Sequence, residues 1–208
     1  YTSKAQSVLS NIPTVAPTKK SVHQCVLLNA IDREDAERLL VDSNFIMQPK
    51  MDGVRFMLSL NYVSGVPVLE AFNRKGIPIS VPNEVSDSIL SSNTYYEGGV
   101  GQFLIDGELV GDKYYVFDIL EYGTCLRSNP LDARMLYLNE LMEAIESDNV
   151  LRVESHFTSS QKVKAFSELE KNAEGVVFKN LKSHYVPGRP ASGGNYLKYK
   201  FYETGSFV

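Results

Sequence analysis

The chain has 208 residues, 43% hydrophobic and 22% charged, with a formal net charge of -4, which gives length for one sizeable core and the balance of an ordinary globular protein. No apolar run approaches the roughly 18 to 20 residues a membrane span needs, and the start lacks the charged-then-apolar pattern of a signal peptide. A helical membrane protein is thereby excluded, a uniformly basic nucleic-acid wrap is disfavoured, and the expected setting is cytoplasmic or otherwise intracellular, with nuclear and viral origins open. Charge is uneven all the same. Residues 171–208 hold six basic side chains against two acidic ones, so the C-terminal end is the basic end. Cys25 and Cys125 lie far apart with no partner at metal-ligand spacing, so both read as buried free thiols.

Residues 1–22, rich in Ser, Thr, Lys and Pro, read as an N-terminal arm with one short helix at most around Val8, Leu9 and Ile12. Asp32 then caps a helix running to about Val41, with Asp35 at the third helical position and Ile31 and Ala36 placed as a staple. Residues 45–47, 54–60 and 66–72, the last two joined at Ser64-Gly65, read as an antiparallel meander. A short helix is expected near Val85 to Leu90 within a polar stretch over 80–101. Two strong strands, 103–110 and 113–120, flank a two-residue Gly111-Asp112 turn. That turn makes residues whose numbers sum to 223 face each other, pairing Glu108 with Tyr115 and Asp106 with Phe117 and putting Glu108 and Phe117 on one face.

Asn129-Pro130 supplies a cap and first residue for a helix with Leu131, Met135, Leu138, Leu141, Met142 and Ile145 inward. A strand near 150–153, a helix over about 160–171 with Val163, Phe166 and Leu169 inward, and strands at 175–179 and 196–201 complete the order. Hairpins dominate and strict βαβ alternation is absent. The fold class is therefore α+β, antiparallel sheets flanked by helices.

Four segments carry candidate chemistry. In Lys50-Met51-Asp52-Gly53-Val54-Arg55 a lysine at a strand end is aimed by the turn that follows, and neighbouring cations with partial burial would favour its nucleophilic amine form; solvent-facing charges on a hairpin are the plainer alternative. Glu108 beside Phe117 offers a carboxylate to a ribose and a ring to a base, although a strand phenylalanine is also ordinary core. Glu174, opening Glu174-Gly175-Val176-Val177-Phe178-Lys179, is a hard-oxygen ligand suited to Mg²⁺. Lys198 and Lys200 project from one strand face and call for an anion, or else form an exposed basic edge.

Taken in order with Asn73-Arg74-Lys75-Gly76, Asp106-Gly107-Glu108 and Val116-Phe117-Asp118, these segments resemble the motifs of covalent nucleotidyltransferases, most closely ATP-dependent DNA ligases, including the phage type with glutamine at the place of Gln48. The resemblance spans residues 48–200. It implies an ATP-grasp-like nucleotidyltransferase domain, here 23–204, in which Lys50 takes AMP from ATP and passes it to the 5′-phosphate of nicked double-stranded DNA, with Mg²⁺. By the same resemblance Gln48 lies near the adenine edge, Glu108 binds ribose, Phe117 stacks on adenine, Arg55 and Arg74 contact sugar-phosphate, Lys179, Lys198 and Lys200 serve the nucleotide, and Glu174 holds the metal.

Arg74, Arg189 and Lys182 are the candidate DNA contacts. Lys179 is the assignment that strand alternation supports least, because it and Glu174 are separated by an odd number of residues. RNA ligases and messenger-RNA capping guanylyltransferases share the lysine motif, but Glu174 to Lys179 and Tyr185-Val186-Pro187-Gly188-Arg189-Pro190 look like DNA ligases, and the tryptophan common between the paired lysines of capping enzymes is missing. A degenerate module that binds nucleotide or nucleic acid without reacting is the non-enzyme alternative. The family pattern continues into an OB-fold domain, whose first residues would be 205–208. The chain therefore reads as a monomeric piece of a longer protein, slow in self-adenylation and weak on nicks by itself.

Overall fold

The computed structural model describes residues 23–92 and 102–202, so the expected arm and the expected OB-fold start lie outside the described residues. The elements run β1 (Asn29–Ala30), α1 (Arg33–Val41), β2 (Phe45–Pro49), β3 (Val54–Val63), β4 (Val66–Phe72), β5 (Pro78–Ile79), α2 (Asn83–Leu90), β6 (Phe103–Val110), β7 (Lys113–Tyr122), α3 (Leu131–Ile145), β8 (Val150–Arg152), α4 (Ser159–Leu169), β9 (Gly175–Asn180) and β10 (Tyr196–Lys200). They form a four-stranded sheet ordered β1-β10-β9-β2 and a six-stranded sheet ordered β5-β4-β3-β6-β7-β8. Pairing is antiparallel except for β1 with β10 and β7 with β8. The expected α+β class is what forms. Among the described residues no helix is long and apolar enough to cross a membrane.

Alternation along the strands sorts the core into layers. On the six-stranded sheet Phe56, Leu58 and Leu60 of β3 and Phe103 and Ile105 of β6 face the helix side, where Val85 and Ile89 of α2 and Leu138, Leu141 and Ile145 of α3 cover them. Met57 and Leu104 turn the other way, toward Cys25, Val26, Tyr185 and Tyr196 between the sheets. The four-stranded sheet buries Met47, Val176, Phe178 and Leu197 under Ala36 and Leu40 of α1 and Ala165 and Phe166 of α4. Each sheet thus keeps one face for its helices and turns the other toward its partner.

Several local expectations need correction. β2 belongs to the four-stranded sheet and β3 to the other, so Asp52-Gly53 crosses between sheets and the meander consists of β3 and β4 without β2. The 223 register holds from Val110 opposite Lys113 to Gly107 opposite Val116, then slips at a bulge, so Asp106 faces Asp118 instead of Phe117. Core facing changes parity there, from Tyr114 and Val116 to Ile119. Phe117 and Asp118, though consecutive, both come to line the inter-sheet cleft. Glu108 and Phe117 therefore still share one side.

The N-cap of α3 is Pro130, whose side chain has no acceptor, and the Leu131 and Asp132 amides donate instead to the Ser183 and Leu181 carbonyls at 2.9 Å. On α4, Val163 is exposed at 47% while Lys162, Ala165 and Phe166 are buried. Lys162 can occupy an inward position because its ammonium donates to the carbonyls of Leu39, Asp42 and Phe45 at 2.9, 2.6 and 2.8 Å, closing the end of α1 onto β2. Cys25 is buried as expected, whereas Cys125 is exposed.

Candidate active site

A cleft of about 550 Å³ opens between the sheets, and the motif residues converge on it from both walls. Gln48 arrives from β2, Lys50 from the crossing that follows, Arg55 from β3, Glu108 from β6, Phe117 from β7, Lys179 from β9 and Lys198 from β10. Arg74 and Arg189 complete the rim. Lys200 stands next to Lys198 on the same strand face and joins the site through Glu174, which its Nζ meets at 2.8 Å. Lys182 does not line the cleft; it is exposed and ion-paired with Asp132 at the start of α3.

The crossing is tight because glycine allows it. A Cβ on Gly53 would stand 2.2 Å from the Leu109 carbonyl oxygen, and one on Gly107 2.2 Å from that of Tyr115, so both motif glycines serve close backbone approach. Gly53→Ala is expected to destabilise by about 1 to 3 kcal/mol through forced overpacking against β6. Chemical denaturation would measure this, and a loss below about 0.5 kcal/mol would contradict it.

Lys50 Nζ donates to Glu174 Oε2 at 2.5 Å, and the same carboxylate takes Lys200 on its other oxygen. Burial disfavours ionisation of Glu174, but the hydrogen bonds from Lys200 and Lys50 outweigh it and hold the carboxyl below its usual range. Glu174 precedes β9, so strand alternation does not govern it, and the odd spacing to Lys179 raises no conflict. Around Lys50 the charge is mainly positive. The Lys198 ammonium is pushed down by burial and then by Lys50, Arg189, Lys200 and Arg74, and among the described residues no carboxylate pairs with Lys198, Arg74 or Arg189. Such a cluster is a site for an anion of high charge.

The inner end of the cleft is built from paired charges. Arg55 grips Asp106 in two bonds of 2.7 and 2.6 Å, Tyr185 donates to the same carboxylate at 2.7 Å, and the arginine lies 4.8 Å over the Phe117 ring. Burial works against the Arg55 charge, and Asp106 overcomes it. Glu108 sits opposite Arg55 in the ladder. Burial pushes its carboxyl up against the pull of Arg55 and Lys50, and it makes no hydrogen bond among the described residues.

Lys179 is 4% exposed and 4.2 Å over the Phe117 ring, and burial brings its ammonium down to about 8 against the opposing pull of Asp118. Between pH 8 and the ordinary lysine value of about 10.4 the unfolded chain therefore binds more protons at this side chain than the folded one. The cost of burying the charge is complete below pH 8 and is relieved as pH rises through that window. The stability of the chain relative to Lys179→Met should accordingly increase from pH 7 to pH 10 in paired melting curves. A difference independent of pH would refute the shift.

Residues 111–200 match the family model for the ATP dependent DNA ligase domain. Solved structures agree along more of the chain. Mycobacterial DNA ligase D complexed with ATP and MES superimposes with a TM-score of 0.60 at 18% identity, over 85% of this chain and 59% of that one. The fold is that of an ATP-dependent DNA ligase adenylation domain. The ligase of bacteriophage T7 complexed with ATP, at a TM-score of 0.58 and 12% identity, covers 85% of this chain and 68% of its own, and the Chlorella virus DNA ligase-adenylate, at 0.54 and 19%, covers 88% and 68%. Among curated proteins no sequence matches. The chain spans less than two thirds of the mycobacterial ligase chain.

The structure adds Arg134 and Ser155, which the sequence motifs do not include, and gives a structural part to Asp106, Asp118 and Tyr185, which the motifs contain without a role. Asp106, Asp118, Arg134 and Tyr185 brace the cleft wall, and Ser155 contacts Gln48. Their partners are 16 to 107 residues away in sequence, which no local spacing reveals.

Proposed function

We propose that this domain loads itself with AMP from ATP on Lys50 and hands the AMP to the 5′-phosphate of a nick in duplex DNA. The observation that carries this reading is the Lys50 amine at the cleft, flanked by Glu174 and by the cations Lys198, Arg74 and Arg189. Support comes from the ligase domain match and from fold relatives seen with ATP or as an adenylate.

In the first step the Lys50 nitrogen bonds to the α-phosphorus, the bond from that phosphorus to the bridging β-phosphate oxygen breaks, and pyrophosphate leaves. Only the amine reacts, so Lys50 sheds one proton before attack and one after. Lys198 and Lys200 hold the phosphates and spread their charge. In the second step an oxygen of the DNA 5′-phosphate attacks the same phosphorus and the P–N bond breaks, freeing Lys50. Attack by the 3′-hydroxyl then seals the strand and releases AMP. Glu108 takes the ribose hydroxyls, Phe117 the adenine face and Gln48 its edge. Arg55, held by Asp106, contacts the sugar-phosphate, Lys179 serves the nucleotide from beside the Phe117 ring, and Arg74 and Arg189 meet the nicked strand, with Lys182 reaching DNA only by leaving Asp132.

Mg²⁺ uses hard oxygens and commonly takes one or two protein carboxylates plus phosphate oxygens. Among the described residues no group of three or more metal-binding side chains forms, so an all-protein cage is absent, but Glu174 beside the phosphate-binding cations fits an ion shared with a triphosphate. Held there, Mg²⁺ would neutralise phosphate charge. An OB-fold domain joined to this one would add further basic contacts.

The test is to form the AMP adduct by prolonged incubation with ATP and Mg²⁺, remove free ATP, and add a duplex with a 5′-phosphorylated nick in DNA or in RNA. AMP should leave the protein for the DNA nick. Discharge only on the RNA nick, or none on either, would overturn the DNA-sealing role.

A further inference from the structure

Behind the cleft, residues 153–156 are tied to the strand that carries Gln48. The Val153 amide donates to the Val116 carbonyl at 2.8 Å, and Met47 and His156 exchange two backbone hydrogen bonds of 3.0 and 2.8 Å in an antiparallel bridge. In an antiparallel pairing the next residues outward are also neighbours, which sets Ser155 beside Gln48. Gln48 Nε2 donates to Ser155 Oγ at 2.8 Å, and Ser155 Oγ donates to the Val153 carbonyl at 3.4 Å.

A serine hydroxyl has one hydrogen and two lone pairs. With its hydrogen committed to Val153, Ser155 can offer Gln48 only a lone pair, and that selects the amide nitrogen over the amide oxygen. Oε1 is left to point elsewhere. It takes no hydrogen bond among the described residues and is not sealed from access, although Gln48 as a whole is only 3% exposed and lines the cleft. At the 6-position adenine presents an amino donor and guanine a carbonyl acceptor. An amide oxygen fixed toward the base accepts from the first and opposes the second.

We infer that Ser155 is a positioning residue that fixes the Gln48 amide with its oxygen toward the cleft and so sets the preference for ATP over GTP. This rests on the nucleotide-binding reading of the cleft. Without the hydroxyl the amide can turn over, present its NH₂ to guanine O6, and admit GTP. In Gln48→Glu both side-chain oxygens accept and neither donates, so there the Ser155 hydroxyl has nothing to select.

The experiment is calorimetric titration of ATP and GTP, in the absence of Mg²⁺, into the unaltered chain, Ser155→Ala, Ser155→Thr, Gln48→Glu, and Gln48→Glu with Ser155→Ala. Ser155→Ala should lower the ATP-to-GTP preference by roughly tenfold or more, the scale of one misdirected hydrogen bond. Ser155→Thr should keep it, and Ser155→Ala in the Gln48→Glu background should leave it unmoved. ATP binding with an unchanged preference in Ser155→Ala, or an equal loss in the Gln48→Glu background, would overturn the role of Ser155 alone. Failure of the unaltered chain to bind either nucleotide would overturn the nucleotide reading and this inference together.

Discussion

Lys50→Ala is expected to abolish AMP transfer to the chain while leaving the fold and the binding of ATP largely in place. The lysine side chain is 19% exposed and that of Glu174 23%, so their ion pair is partly solvated and worth about 1 kcal/mol or less. Glu174 keeps Lys200 at 2.8 Å, so its carboxylate is not left alone in the variant. The melting temperature should fall by no more than about 4 °C. Chemistry suffers far more, because the variant has no nitrogen to bond to phosphorus at that place, and a lost nucleophile is not replaced by better binding. Intact-mass analysis after ATP and Mg²⁺ should show no adduct, while ATP still raises the melting temperature as any ligand of the native state must. An adduct of undiminished yield would contradict the assignment.

Asp118→Ala is expected to be the most destabilising single change in the cleft wall, by about 3 to 5 kcal/mol, because it leaves the Arg134 charge buried and uncompensated. Arg134 is fully buried and Asp118 2% exposed. The guanidinium meets both carboxylate oxygens at 2.8 and 3.0 Å, with its remaining donors on the Asn129 and Ser183 carbonyls at 2.7 and 3.1 Å and on the Tyr196 hydroxyl at 2.7 Å. One side chain thereby joins β7, α3, β10 and the segment that follows β9. Since a domain of this kind has only about 5 to 15 kcal/mol in all, such a loss would leave a marginal protein. Adding Arg134→Met should restore part of the stability, because the stranded charge is then gone. Urea unfolding of the unaltered chain and the two variants measures this, and a cost of Asp118→Ala below about 1 kcal/mol would refute the account.

What the sequence revealed and what it withheld follow from how each feature is encoded. Strands β3, β6 and β7 were legible because strict alternation and two-residue turns are local. The start of α1 was legible because Asp32 and Asp35 are three residues apart, and the Asp32 side chain does accept from the Asp35 amide at 2.8 Å. The order of charged motifs pointed to the cleft residues together, and Lys50, Glu108, Phe117, Lys179 and Lys198 do meet there. Their chemical roles rest on the motif resemblance.

Other features depend on tertiary packing. The slip at Asp106 arises where Gly107 presses against the Tyr115 backbone, and hydropathy carries no trace of it. Hydropathy offers α4 the apolar stripe Val163, Phe166 and Leu169, yet Lys162 takes an inward place because the carbonyls of Leu39, Asp42 and Phe45 satisfy its ammonium. The Asn129 cap was an ordinary local reading overridden by the carbonyls of Leu181 and Ser183. One signal was readable and missed: Thr158-Ser159-Ser160-Gln161 is a capping box, and it starts α4 at Ser159.

The most direct test of the central claim is fragmentation mass spectrometry of the chain after incubation with ATP and Mg²⁺, locating the AMP by residue. A single AMP on Lys50, removed when pyrophosphate is added, is the predicted result. AMP on Lys179 or Lys198, or no AMP at all from a chain that binds ATP, would contradict it.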